Sequence, residues 1–199
     1  MSLNSSPVPL TAEFLITLVH NYYRADRDFD IRPENSPEEK RLLTVRKQEF
    51  GKMDQWDAFV DELRAALPDL VVGNITSTCH PSFRCAVYPR VPKAPAELSL
   101  WAVVGCISIL APVYTVYGLH LSYRDRQRTS ARVFLHSLPP EMQAPAELIT
   151  RKIEATFGLP VLPRELAETP VPLIVEFKEP PHTTLFDALF ISEPESVPI

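Results

Sequence analysis

Glycine is scarce in this chain, with 5 residues in 199, and none of them are clustered. Phosphate-cradling loops need grouped glycines so that backbone N–H groups can approach the ligand; P-loops and dinucleotide fingerprints are therefore excluded. Cysteine is scarcer still. Cys79, Cys85 and Cys106 are odd in number and dispersed, which argues against a disulfide framework and fits a reducing compartment. Charge is missing altogether from Leu98 to Tyr123, between Glu97 and Arg124. A run that long must leave water, for a bilayer or for a protein core. A basic excess is lacking too: the net charge is −5, which disfavours a non-specific nucleic-acid binder and makes a basic protein the better partner. Met1–Leu10 offers neither a basic nor an apolar signal region, so the expected location is cytoplasmic.

Proline is abundant instead, at 21 residues, roughly twice the usual share, so loops are fixed by locked φ angles rather than by left-handed turns. The length allows one well-buried core. Residues 1–10 read as a tail, 11–191 as a single α+β domain, and 192–199 as a Pro-rich acidic tail. A helix is expected from Thr11, with Phe14, Leu15, Leu18 and Val19 on its apolar face. Asp26–Asn35 reads as a polar connector. Ser36-Pro37-Glu38-Glu39 is a helix start, with a capping Ser and Pro at the first helical position. Asp54 is placed to cap a further helix carrying Trp56, Phe59, Val60 and Leu63. Strands are expected at Leu70–Thr76, Phe83–Pro89, Arg132–Leu138 and Val171–Phe177. Helical segments are expected at Pro145–Phe157, stopped by Gly158, and at Pro163–Glu168, with a short amphipathic turn at Thr184–Phe190.

The uncharged run is long enough for a membrane helix, yet its residues favour strands. Pro112 would remove a helix hydrogen bond in mid-run, and Val113-Tyr114-Thr115-Val116-Tyr117 is continuously β-branched or aromatic. With Pro112 as a bend or edge position, Glu97–Leu110 and Val113–Tyr123 are therefore expected to form two long strands, or one bent strand crossing the sheet. The fold class that follows is α+β, a mostly antiparallel sheet of about five or six strands with helices packed on one face. An exposed long edge strand would also permit a homodimer.

Candidate chemistry is thin. Cys79-His80 with Cys85 lacks the second ligand pair of a zinc site, so no metal is expected. A small-substrate enzyme remains an alternative, if Cys79 or Cys85 meets His20, His120 or His136 in space. Asp26, Asp28 and Asp30 match the start of a calcium loop, but Ile31 and Pro37 stand where Gly and Glu are required. The arginines from Arg124 to Arg132 read as a charged, aggregation-resistant hairpin turn. Tyr114 and Tyr117 must face opposite sides of a strand, so one hydroxyl is free for a partner. The C-terminal stretch holds Glu176, Glu179, Asp187, Glu193 and Glu195 among Leu185, Phe186, Leu189 and Phe190, which reads either as an acidic and apolar surface suited to a basic protein or, equally, as a docked C-terminal segment with a solvated tail. The expected partner-binding residues are thus Tyr114, Tyr117, Glu176, Glu179, Asp187 and Glu193. No catalytic or cofactor-binding residue stands out.

Three segments together resemble the immunity proteins encoded beside bacterial polymorphic toxins. They are the helical opening through Trp56-Asp57-Ala58-Phe59 to Leu67-Pro68, the stretch from Ile107 to Gly118, and the ending from Phe157-Gly158-Leu159-Pro160 through Pro172-Leu173-Ile174 to Thr184–Phe190. The resemblance implies a cytosolic, non-catalytic protein that binds one cognate toxin domain and occludes its active site. It carries over no site residues. The remaining alternative is a structural or interaction domain of another kind.

Overall fold

The uncharged run folds as two antiparallel strands. In the computed structural model β3 (Glu97–Ser108) and β4 (Tyr114–Arg124) pair in unbroken register, from Glu97 opposite Arg124 to Ile107 opposite Tyr114. The reversal between them falls at Pro112, as expected, and Ser108 Oγ accepts the backbone N–H groups of Leu110 and Ala111 at 3.1 and 3.3 Å. The structure describes residues 10–26, 36–91, 97–125, 127–176 and 178–198. Most of the N-terminal tail, most of the Asp26–Asn35 connector and two of the three calcium-loop aspartates, Asp28 and Asp30, lie outside them. No helix among the described residues is long and apolar enough to cross a membrane.

Around this pair the described chain adds β1 (Leu70–Asn74), β2 (Ser82–Pro89) and β5 (Gln127–Phe134), giving an antiparallel five-stranded sheet in sequence order. The helices are α1 (Ala12–Val19), α2 (Pro37–Phe50), α3 (Met53–Ala66), α4 (Pro140–Phe157), α5 (Arg164–Ala167) and α6 (Leu185–Leu189). The fold is α+β, but packing on one face is corrected to packing on both. Ala102, Val104 and Cys106 of β3, with Tyr117, Leu119 and Leu121 of β4, are buried against α1, α6 and the C-terminal segment. Val103 and Ile107, with Tyr114, are buried against α3 and α4. A strand with apolar residues at both odd and even positions has no face to offer water, so both sides acquire a layer.

α4 approaches the sheet through two of the five glycines. A Cβ at Gly105 would stand 2.7 Å from Ile149 Cγ2, and one at Gly118 would stand 2.5 Å from Met142 Sδ. Gly158 ends that helix with φ 65°, a left-handed conformation that glycine adopts without penalty.

Several element boundaries differ from expectation. α4 begins at Pro140 and carries the buried Pro145 inside it, so that proline is a packing residue rather than a start signal. α3 begins at Met53 without a side-chain cap, and Asp54 lies in its first turn, where a carboxylate favours the positive helix end. β5 begins earlier than expected, in the charged stretch; Gln127–Arg132 are exposed because β5 is an uncovered edge. The expected strand Val171–Phe177 is replaced by isolated bridges, Ile174 to Arg24 and Val175 to Lys178. Residues 192–197 are no tail. Ser192 and Val197 are buried, and Pro194 O accepts the Tyr117 hydroxyl at 3.0 Å.

Candidate functional site

Aromatic residues from three separate elements meet at one end of the α3–α4 layer. Trp56, spaced with Phe59 on the apolar stripe of α3, stacks on it at 4.9 Å between ring centroids. Phe83 of β2 lies 5.7 Å from Trp56, and Phe157 from the last turn of α4 lies 6.1 Å away. The indole is fixed from behind: its N–H donates to Asn74 Oδ1 at 3.2 Å, and Asn74 Nδ2 donates to Asp57 Oδ1 at 2.8 Å. Trp56, Phe83 and Phe157, with the β3–β4 turn, Ile109 to Pro112, line an open cleft of about 390 Å³. That volume lies within the roughly 300–1,000 Å³ of ordinary ligand pockets. Glu49, Lys52 and Gln55 form its polar lip, where Lys52 Nζ lies 2.6 Å from Glu49 Oε1.

Beside the cleft, the outer face of α3 presents Asp54, Asp57, Asp61 and Glu62, all exposed. Their cations are few: Arg64 pairs with Asp61, and Lys152 of α4 pairs with Glu62. α4 adds Glu147 and Glu154 to the same layer. The result is an apolar recess bordered by helices of negative charge. Such a surface can anchor an apolar side chain and attract basic groups around it.

The residues expected from the sequence to bind a partner do not form this site. Tyr114 and Tyr117 are both fully buried, and both hydroxyls are used internally, on Glu154 Oε1 at 2.7 Å and Pro194 O. The expectation of a free hydroxyl fails because each face of β4 is covered. Asp187 is buried; it closes a capping box with Thr184 and receives Lys178 Nζ at 2.7 Å. Glu176 accepts from His80 Nδ1 at 2.7 Å and from the Ser192 hydroxyl. Only Glu179 and Glu193 of the six lie exposed. The acidic C-terminus is largely an internal clasp, since its charges are used to dock the segment itself.

The cysteine and histidine residues do not converge. Cys85 is buried in the α3–α4 layer and Cys106 in the opposite one, and burial pushes each thiol up to about 12. Among the described residues no hydrogen bond joins a thiol to an imidazole. His80, His120 and His136 each face a carboxylate, of Glu176, Glu141 and Glu168 respectively. Cys79 alone is exposed. A thiol reagent should therefore titrate one cysteine in the native protein and all three after denaturation, with Cys79 carrying the native label in a peptide map. Native labelling of Cys85 would contradict the buried-layer assignment.

Glu176 is set by opposing effects. Burial alone would raise it, but the hydrogen bonds from His80 and Ser192, with the nearby charges of His80 and Arg46, bring it below the ordinary value of 4.5. A carboxyl lowered by folding adds stability above its unfolded pKa and loses it as pH falls through the folded value. Glu176→Gln should consequently flatten the acid limb of stability below about pH 4.5. An unchanged slope in urea midpoints from pH 5 to 3 would show that the clasp does not titrate.

No family model matches the chain, and no curated protein or solved structure matches it either. The cleft was not recognised in the sequence, where Trp56 and Phe59 read as core. Trp56 is indeed core by burial, and only its position in three dimensions beside Phe83 and Phe157 makes it part of a recess.

Proposed function

We propose that this chain is a non-catalytic binding protein which neutralises a basic partner by covering its working surface, as an immunity protein covers its toxin domain. The observation that carries the reading is the aromatic cleft bordered by the acidic α3. An apolar side chain of the partner enters between Phe83, Phe157 and the Ile109–Pro112 turn, while its basic groups meet Asp54 and Asp61. An anchor of this kind supplies about 2 kcal/mol or more, because it is fully desolvated in a recess. The exposed acids mainly raise the rate of encounter, and salt slows it. The net charge of −5 favours such a partner over a nucleic acid. The reading places the chain in the cytoplasm, where its partner is made, and requires no cofactor.

The test uses the purified product of the neighbouring reading frame. A 1:1 complex by light scattering, with the partner's toxicity or enzymatic activity abolished, is the expected result. Phe83→Asp should weaken that complex about 30-fold or more, the equivalent of the anchor energy. Asp54→Lys with Asp61→Lys should lower the association rate. No complex with that product, full partner activity within the complex, or unchanged affinity of Phe83→Asp would refute the proposal.

A further inference from the structure

On the sheet face opposite the cleft, β2 carries a charge that pairs with no carboxylate among the described residues. Arg84 is 2 % exposed, and its register partner is Cys106 of β3. Its Nη2 donates to Ile75 O at 3.2 Å. Its Nε and Nη1 are buried and have no acceptor. No carboxylate pairs with it among the described residues. Burial keeps the neighbouring Cys106 and Tyr117 protonated, so neither supplies a negative charge. A guanidinium stays ionised at any ordinary pH and donates through all its nitrogens, so a buried one requires acceptors and a counter-charge.

The surroundings are closed by the C-terminal segment. Ser82, two residues before Arg84 on the same strand face, donates to Phe190 O at 2.8 Å. Tyr117, beside the guanidinium, donates to Pro194 O at 3.0 Å. Both hydroxyls donate to the segment; the Tyr117 oxygen can still accept from Arg84, but Arg84 Nε and Nη1 keep no acceptor. Arg46 Nε is also orphaned, but Arg46 has Glu39 Oε1 3.6 Å from its Nη1, so its charge is compensated.

We propose that Arg84 holds a small monovalent anion, a halide or a carboxylate, beneath residues 190–195. One positive charge calls for one negative charge, and the orphaned N–H groups supply the donors that would replace the anion's hydration. Ligand and segment are then coupled: the anion stabilises the seated C-terminus, and its escape requires the segment to lift.

Diffraction from crystals of the whole chain grown in bromide tests this directly. An anomalous peak within hydrogen-bond distance of Arg84 Nε or Nη1 is expected. Ordered waters at both positions, or bromide at the surface only as an adventitious ion, would overturn the proposal. In solution, chloride and formate are compared with gluconate, too large to enter, at constant ionic strength. A saturable rise in Tm of about 5 °C is expected at a large excess over Kd. Saturation by formate and not chloride would identify a carboxylate, and the reverse a halide. Arg84→Met should abolish the response; an equal response in that variant would overturn the site. If Arg84→Met fails to fold, the bromide density of the unaltered chain decides alone.

Discussion

A chain ended at Leu189 is expected to lose its cooperative fold. The residues removed include Phe190, Ile191 and Val197, of which the first two are fully buried and the third is 6 % exposed. Burying one large apolar side chain contributes roughly 1.5–3 kcal/mol, an upper estimate because the unfolded chain is already partly collapsed. Three such residues amount to about 4.5–9 kcal/mol, against a total stability of about 5–15 kcal/mol for an ordinary domain. Polar pins are lost as well. Ser82 loses Phe190 O, Tyr117 loses Pro194 O, and Glu176 loses the Ser192 hydroxyl. A buried donor left without an acceptor costs about 1–3 kcal/mol, so these losses add to the apolar ones. Circular dichroism melting should show a broad, non-cooperative transition or none. Ending the chain after Val197 should leave Tm within about 2 °C of the full chain, since the one described residue removed, Pro198, is exposed. A sharp melt near the full-length Tm for the shorter chain would show that residues 190–197 are peripheral.

The second large effect is expected at Gly105. Even a single added carbon would press on Ile149 Cγ2 at 2.7 Å and Cys85 Sγ at 3.3 Å. Ile149 is β-branched and buried, and the clashing methyl is attached to its Cβ, so no rotation of the far end of a side chain relieves the contact. Relief requires α4 to move off β3. Gly105→Val should destabilise the protein by about 3 kcal/mol, at the upper end of overpacking effects. It should also disturb the cleft, because α4 delivers Phe157 and β3 delivers Ile107 to its lining. A stability within about 0.5 kcal/mol of the natural chain, by urea denaturation, would mean that the α4–β3 interface is loosely packed.

The sheet was legible where local chemistry and burial agreed. The run from Leu98 to Tyr123 announced buried strands, and Pro112 between the two runs of strand-forming residues announced their turn. Ser36 Oγ does cap α2, accepting from Glu39 N at 3.1 Å, and Gly158 does stop α4. β5 was less legible because its first residues are charged and exposed; it is a strand through pairing with β4 rather than through its own propensity. Cover on both faces was not legible in that run, because Ser99, Thr115, His120 and Ser122 recur along it as they would on a less buried face.

The site was legible only in its parts. Spacing along α3 announces that Trp56 and Phe59 share a stripe, but a period of 3.6 residues is silent about Phe83 and Phe157, which arrive from elsewhere in the chain. The C-terminal acids misled for a related reason. Composition records that Glu176 and Asp187 are charged, and omits that His80, Ser192, Thr184 and Lys178 meet them. A charge used for docking and one offered to a partner look alike in one dimension. Of the acids of α3 only Asp54 drew a reading from the sequence, as a cap, and nothing in one dimension placed a recess beside them.

Hydrogen–deuterium exchange on the complex with the neighbouring gene product tests the functional account most directly. Slowed exchange is expected at the first turns of α3, at Ile109–Val113 and at the end of α4 around Phe157, with β5 unchanged. Protection confined to β5 or to the C-terminal segment, with the cleft exchanging as in the free protein, would contradict it.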